Sequence, residues 1–208
     1  MTKKRIAILG GAFDPITNAH TQIAEYVLKH SDFEEVWLMP SYKNTNKVMA
    51  SPEHRITMCK KAVKDIENVS IFPYEIDNEL EGVTVNVFKR LKEDDEYKGY
   101  KFSMIIGIDQ ANSIDTWVDY DSLKKQVTFV VIPRKGYRKK PSINWFTEAP
   151  HMYLKGNSAI PNISSTEIRF GARYLYNDVP GKESFISVLT DNLNPDVLTY
   201  IENNNLYE

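Results

Sequence analysis

The chain has 208 residues, 42% of them hydrophobic, which is enough to bury one substantial core and predicts a single domain spanning 1–208. Its 26 Lys and Arg stand against 28 Asp and Glu, without the basic excess of a nucleic-acid binder, so no nucleic-acid partner is expected. Cys59 is the only cysteine, which excludes an intrachain disulfide framework and a multi-cysteine metal site; with no signal-like or membrane-spanning apolar run, an intracellular, cytoplasmic setting is the simplest expectation.

Short apolar runs bounded by turn residues alternate with stretches of helical period, predicting βαβ units. Strands are expected over 5–9, 35–39, 69–72, 102–106 and 127–132. A helix over about 19–29 turns Ile23, Ala24, Val27 and Leu28 to one face. Ser51 followed by Pro52 reads as an N-cap with proline at the first helical position, opening a helix to about Val63. Another helix is expected over 84–94, buried through Val87, Phe88 and Leu91. Residues 133–150, with their prolines, a basic run over 138–140 and an exposed Trp145, read as a loop. Helices follow over 164–175 and 195–203. The fold class is α/β: a Rossmann-like doubly wound parallel sheet with a helical C-terminal part.

In such a sheet ligands bind outside the carboxyl ends of the strands, so the turn after the first strand is where a site is sought. It reads "GGAFDPITNAH", from Gly10 to His20. The glycines admit left-handed angles and close approach of a ligand, and Pro15 fixes the exit from the turn. Thr17 or Asn18 lies near the next helix N-terminus, whose free N–H groups attract anions, and His20 falls in its first turn. By itself this describes either a tight turn or a phosphate site. "ISSTEIR", Ile163 to Arg169, sets hydroxyls at another helix start, with Glu167 three residues after Ser164 as in a capping box. It reads either as ordinary capping or as half of a polyphosphate clamp.

The two segments together resemble the nucleotidyltransferase superfamily whose signature is a glycine turn ending in His/Thr-x-x-His and a late I-S-S-T-x-[IV]-R. "SYKNTNK", "SPEHRITMCKKAV", "IIGIDQANSIDTW", "VIPRKGY" and the ending "LNPDVLTYIENNNLYE" narrow the likeness to the nicotinate/nicotinamide mononucleotide adenylyltransferases. The resemblance implies that His20, Thr17, Lys43 and Arg169 serve catalysis, with Thr17 standing where many bacterial relatives carry histidine and keeping a phosphate-facing hydroxyl. It implies ATP contacts from Gly10, Gly11, Phe13, Lys47, Asp109, Arg134, Ser164, Ser165 and Thr166, and pyridine mononucleotide contacts from Thr84 and Trp117. His54 and Arg55 either reach the ligand or pack their helix under the loop. Relatives of this kind are commonly homo-oligomers.

The implied reaction joins the 5′-phosphate of a pyridine mononucleotide to the α-phosphorus of ATP and releases pyrophosphate in NAD biosynthesis. Mg²⁺ would ride on the ATP phosphates rather than in a protein carboxylate cage, and Asp14 reads as a turn-stabilising side chain rather than a metal ligand. Two alternatives share part of the pattern. Pantetheine-phosphate adenylyltransferases also carry Phe-Asp-Pro-Ile-Thr-Asn-x-His, but their chains are usually shorter. A non-catalytic regulatory module would keep the nucleotide pocket without turnover.

Overall fold

A computed structural model of the chain describes residues 3–43, 48–155, 160, 163–177 and 180–208. Its centre is a six-stranded sheet of β1 (Lys4–Gly11), β2 (Glu35–Pro40), β3 (Val69–Ile71), β4 (Tyr100–Gly107), β5 (Thr128–Ile132) and β6 (Met152–Tyr153), in the order β3-β2-β1-β4-β5-β6. Every neighbouring pair is parallel. Parallel strands need long crossovers, and helices supply most of them: α1 (Asn18–His30) between β1 and β2, α2 (Pro52–Val63) between β2 and β3, α3 (Tyr74–Asp77) and α4 (Thr84–Glu93) between β3 and β4, and α5 (Ile108–Ala111) and α6 (Tyr120–Gln126) between β4 and β5, while α7 (Ser165–Ala172), α8 (Lys182–Asn192) and α9 (Pro195–Asn203) follow β6.

Both faces of the sheet are covered, which is why its strands read as continuous apolar runs rather than alternating ones. Along β1, Ala7 and Leu9 enter one core while Ile6 and Ile8 enter the other. The first core is closed by Ala24 and Val27 of α1, Met58 and Cys59 of α2, Ile168 of α7, Leu189 of α8 and Ile201 of α9. The second is closed by Val87, Phe88 and Leu91 of α4, Ile108 of α5 and Leu123 of α6. From β1 the chain moves outward through β2 and β3, then returns to lay β4 on the other side of β1. The carboxyl ends of β1 and β4 therefore flank the point where strand order reverses, the crevice in which such sheets hold ligands.

The expected elements are present, with Ser51 accepting from the His54 N–H and Pro52 opening α2. The structure adds β6, α3, α5, α6 and α8. The first three are two to four residues long, too short to show a period. Only Leu123 of α6 and Leu189 of α8 are fully buried, so neither helix writes a clear apolar stripe. Trp145 is a correction: instead of standing exposed it is half-buried, its indole N–H donates to Ala111 O at 3.2 Å, and its ring meets Phe129 edge-on. An indole in the core needs such an acceptor, and a loop carbonyl provides it. Among the described residues no helix is long and apolar enough to cross a membrane.

Candidate active site

The first turn departs from its expected geometry. Gly10 and Gly11 close β1 without left-handed angles; the residue at positive φ is Phe13, at +47°. What the glycines supply is room. A Cβ at Gly11 would lie 3.1 Å from the Phe13 ring, which folds back onto it and meets His20 edge-on. Phe13, expected on the ATP side, is 1% exposed, so its ring supports the turn from beneath and offers a ligand no side-chain surface.

Thr17 is the N-cap of α1 and His20 its third residue. The Thr17 N–H donates to His20 Nδ1 at 3.0 Å and the Thr17 hydroxyl lies 2.9 Å from the same nitrogen. A nitrogen that accepts from a backbone N–H carries no proton, so the neutral ring bears its hydrogen on Nε2. Burial, with the Arg134 guanidinium adding to it, pushes the imidazole down to about 4. Thr17 itself is buried, and its hydroxyl faces His20 rather than the open phosphate position expected of it. A buried hydroxyl finds its partner inside the protein.

Four carbonyls along this turn are claimed by donors from elsewhere in the chain. The Ser41 N–H takes Gly11 O, Arg55 Nη1 takes Ala12 O at 2.8 Å, Arg169 Nη1 takes Asp14 O at 2.6 Å and Ser165 Oγ takes Pro15 O at 2.8 Å. The Asp14 carboxylate is 2% exposed and accepts from the Ala50 N–H and the Tyr207 hydroxyl, which makes it the turn-stabilising group the sequence predicts. In α7, Ser164 caps Glu167 in a reciprocal box, and the Thr166 hydroxyl accepts from Arg169 Nη2 at 3.2 Å. The late motif is thus stapled onto the first turn, and its three hydroxyls are engaged within the protein.

A cleft of about 240 Å³ opens at the strand-order reversal. Gly10, His20, Asp109 and Arg134 line it together with Ile105, Ile132 and Ile163. Asp109 Oδ2 pairs with Arg134 Nη1 at 2.7 Å, while its buried Oδ1 has no hydrogen-bond partner among the described residues. A Cβ at Gly107 would lie 2.3 Å from that oxygen, so a side chain there would displace the Asp109 carboxylate. A second cleft, of about 330 Å³, is lined by Gly82, Val83, Thr84, Thr116, Trp117 and Val118. It brings together both residues expected to meet the pyridine. Lys43 is exposed, and its carbonyl lies 3.3 Å from where a Cβ on Gly82 would stand, so it sits beside this second cleft. Lys47 lies outside the described residues.

Residues 8–170 match the family described as cytidylyltransferase-like. The nicotinate-nucleotide adenylyltransferase of Bacillus subtilis is 30% identical over 210 residues, 99% of either chain. The chain belongs to the nicotinate-nucleotide adenylyltransferase family. A probable nicotinate-nucleotide adenylyltransferase of Bacillus licheniformis agrees equally, at 30% over 210 residues and 99% of each chain. The fold also superposes on Plasmodium falciparum nicotinic acid mononucleotide adenylyltransferase complexed with NaAD, with a TM-score of 0.81 and 25% identity over 98% of this chain and 97% of that one.

In this member of the nicotinate-nucleotide adenylyltransferase family, the structure resolves what the sequence left open for His54 and Arg55. His54 Nδ1 meets the Tyr200 hydroxyl at 2.9 Å, tying α2 to α9. Arg55 is 1% exposed and spends its guanidinium on the carbonyls of Ala12, Tyr42 and Ala50. Both are packing residues. Sequence reasoning missed Glu75, a buried carboxylate that accepts from the Tyr42 N–H where the Lys43 segment begins. Burial pushes it up to about 7. Nothing in its local pattern marks it, since α3 is one turn long.

Proposed function

We propose that the chain transfers the adenylyl group of ATP to nicotinate mononucleotide. An oxygen of the mononucleotide 5′-phosphate attacks the α-phosphorus, the new P–O bond forms as the bond to the β-phosphate oxygen breaks, and pyrophosphate leaves with that electron pair. One observation carries the reading: two separate clefts beyond the carboxyl ends of the sheet, one holding His20, Asp109 and Arg134, the other Thr84 and Trp117. The first carries Gly10, Asp109 and Arg134 of the expected ATP contacts and the second carries both expected pyridine contacts, which supports the reading. The relatives' names favour nicotinate over nicotinamide.

No nucleophilic side chain is required, because such transfers are driven by positioning and by charge stabilisation. His20 donates its Nε2 hydrogen to phosphate oxygens as their charge develops, with Thr17 fixing the ring that does so. Arg134 and Lys43 add positive charge, and the N-termini of α1 and α7 point their dipoles at the same anion. Arg169, Ser164, Ser165 and Thr166 hold the turn in register, while Gly10 and Gly11 keep its approach flat. Asp109 takes the adenosine side and Trp117 stacks the pyridine beside Thr84.

The Asp14 carboxylate is occupied by internal donors, the Ala50 N–H and the Tyr207 hydroxyl. Mg²⁺ would be held by the phosphates of ATP, where it would neutralise charge.

The test is pyrophosphate release from ATP and Mg²⁺ with nicotinate mononucleotide, nicotinamide mononucleotide and phosphopantetheine in parallel. Turnover is expected with the pyridine substrates, fastest with nicotinate. Preference for phosphopantetheine, or ATP binding without pyrophosphate from any of the three, would overturn the assignment.

A further inference from the structure

Asp14 is held from three distant parts of the chain, at Ala50, Arg169 and Tyr207. Its buried Oδ1 accepts from Tyr207 Oη at 2.8 Å, a contact between positions 193 residues apart, and from the Ala50 N–H at 3.2 Å. Its Oδ2 lies 3.6 Å from Arg169 Nη1, the same nitrogen that grips the Asp14 carbonyl. Tyr207 has φ +69°, a left-handed backbone uncommon for an aromatic residue, and it aims the phenol inward. The residue before it is pinned separately, by the Tyr176 hydroxyl donating to Leu206 O at 3.3 Å and Ile201 O at 2.9 Å. Burial, then the neighbouring Asp14 carboxylate, pushes the Tyr207 phenol well above its ordinary value, so it stays a donor at any working pH.

Resting on the adenylyl-transfer reading, we propose that Tyr207 is a positioning residue for the ATP side of the reaction: its hydroxyl fixes Asp14, and through it the turn that delivers Thr17 and His20. Asp14 lies between Phe13, whose ring touches His20, and Pro15, whose carbonyl is stapled to α7. A carboxylate that loses one of its few donors while buried shifts to recover another, and here the backbone of the turn shifts with it. The second cleft shares no lining residue with this turn, so the effect is confined to one substrate.

Calorimetric binding of the α,β-methylene analogue of ATP, and separately of nicotinate mononucleotide, tests this with Tyr207→Phe and Tyr176→Phe. Tyr207→Phe should weaken the ATP analogue about tenfold and leave the mononucleotide within about twofold. Tyr176→Phe removes a phenol that donates to backbone carbonyls of the same tail without touching Asp14, and should leave both affinities within about twofold. Unchanged affinity for the analogue in Tyr207→Phe, equal loss in Tyr176→Phe, or parallel loss of both ligands overturns the proposal. A second measurement needs no variant. Because coupling is reciprocal, the ATP analogue should raise amide exchange protection at Leu206 and Tyr207 while the mononucleotide does not; no rise with the analogue overturns the proposal as well. Wild-type protein that binds the analogue yet makes no dinucleotide would sink the adenylyl-transfer reading and leave these results interpretable.

Discussion

His20 shows how one side chain is prepared by its neighbours. Its place in the first turn of a helix was legible in the sequence; its charge state was not, because that depends on which nitrogen Thr17 occupies and on a guanidinium more than a hundred residues away in sequence. The pH sign follows from the shift. An unfolded chain binds a proton on this ring near 6.5 while the native ring resists it down to about 4, so the native state loses stability as pH falls through that window and regains it above. Phosphate at Nε2 reverses the local field. Binding of an ATP analogue should therefore raise the His20 value by about one unit or more, read from its Cε1–H resonance, and an unmoved titration would remove His20 from the phosphate site. His20→Ala should lower kcat by about 10²- to 10³-fold with little change in mononucleotide KM, the mark of a donor used chiefly in the transition state.

At the scale of elements, α7 is the informative case. Its capping box was readable from Ser164 and Glu167, and the box is there. Its motif was read as facing phosphate, yet the side chains turn toward Asp14 and Pro15, since a helix start docked on a turn must satisfy the turn's carbonyls before any ligand arrives. Local sequence cannot reveal which polar partners meet across 150 positions. Arg169 bridges two acceptors with different guanidinium nitrogens, a span a lysine does not reproduce. Arg169→Lys should raise KM for ATP about tenfold, leave KM for the mononucleotide near its wild-type value, and lower the melting temperature by a few degrees. Equal loss for the two substrates in steady-state assays would mean that α7 supports the whole sheet rather than the turn. The short α3 and α5 mark the opposite limit, since four residues bury too little to leave a period, although α3 carries Glu75 and α5 carries Asp109.

The molecule as a whole was largely legible, because fully buried parallel strands and their crossover helices leave strong patterns, and the order of strands follows from few topological choices. We propose that residues 1–208 act as one domain, since the strands feed both cores and α9 returns to α2. Trp37, Trp117 and Trp145 all pack against the second core, so their fluorescence reports one layer while far-UV circular dichroism reports every helix. Thermal unfolding should give coincident transitions by the two probes; separated midpoints would divide the chain into two units. The bonds that close on Asp14 carry one more consequence. Synthesis delivers residue 14 before its partners at 50, 169 and 207, so a nascent chain can pair β1 with β2 before the turn after β1 is fully locked. Chains halted before residue 169 should accordingly pair β1 with β2 yet bind an ATP analogue far more weakly than chains extended past residue 207, so nucleotide affinity would be gained later in synthesis than the first pairing of strands.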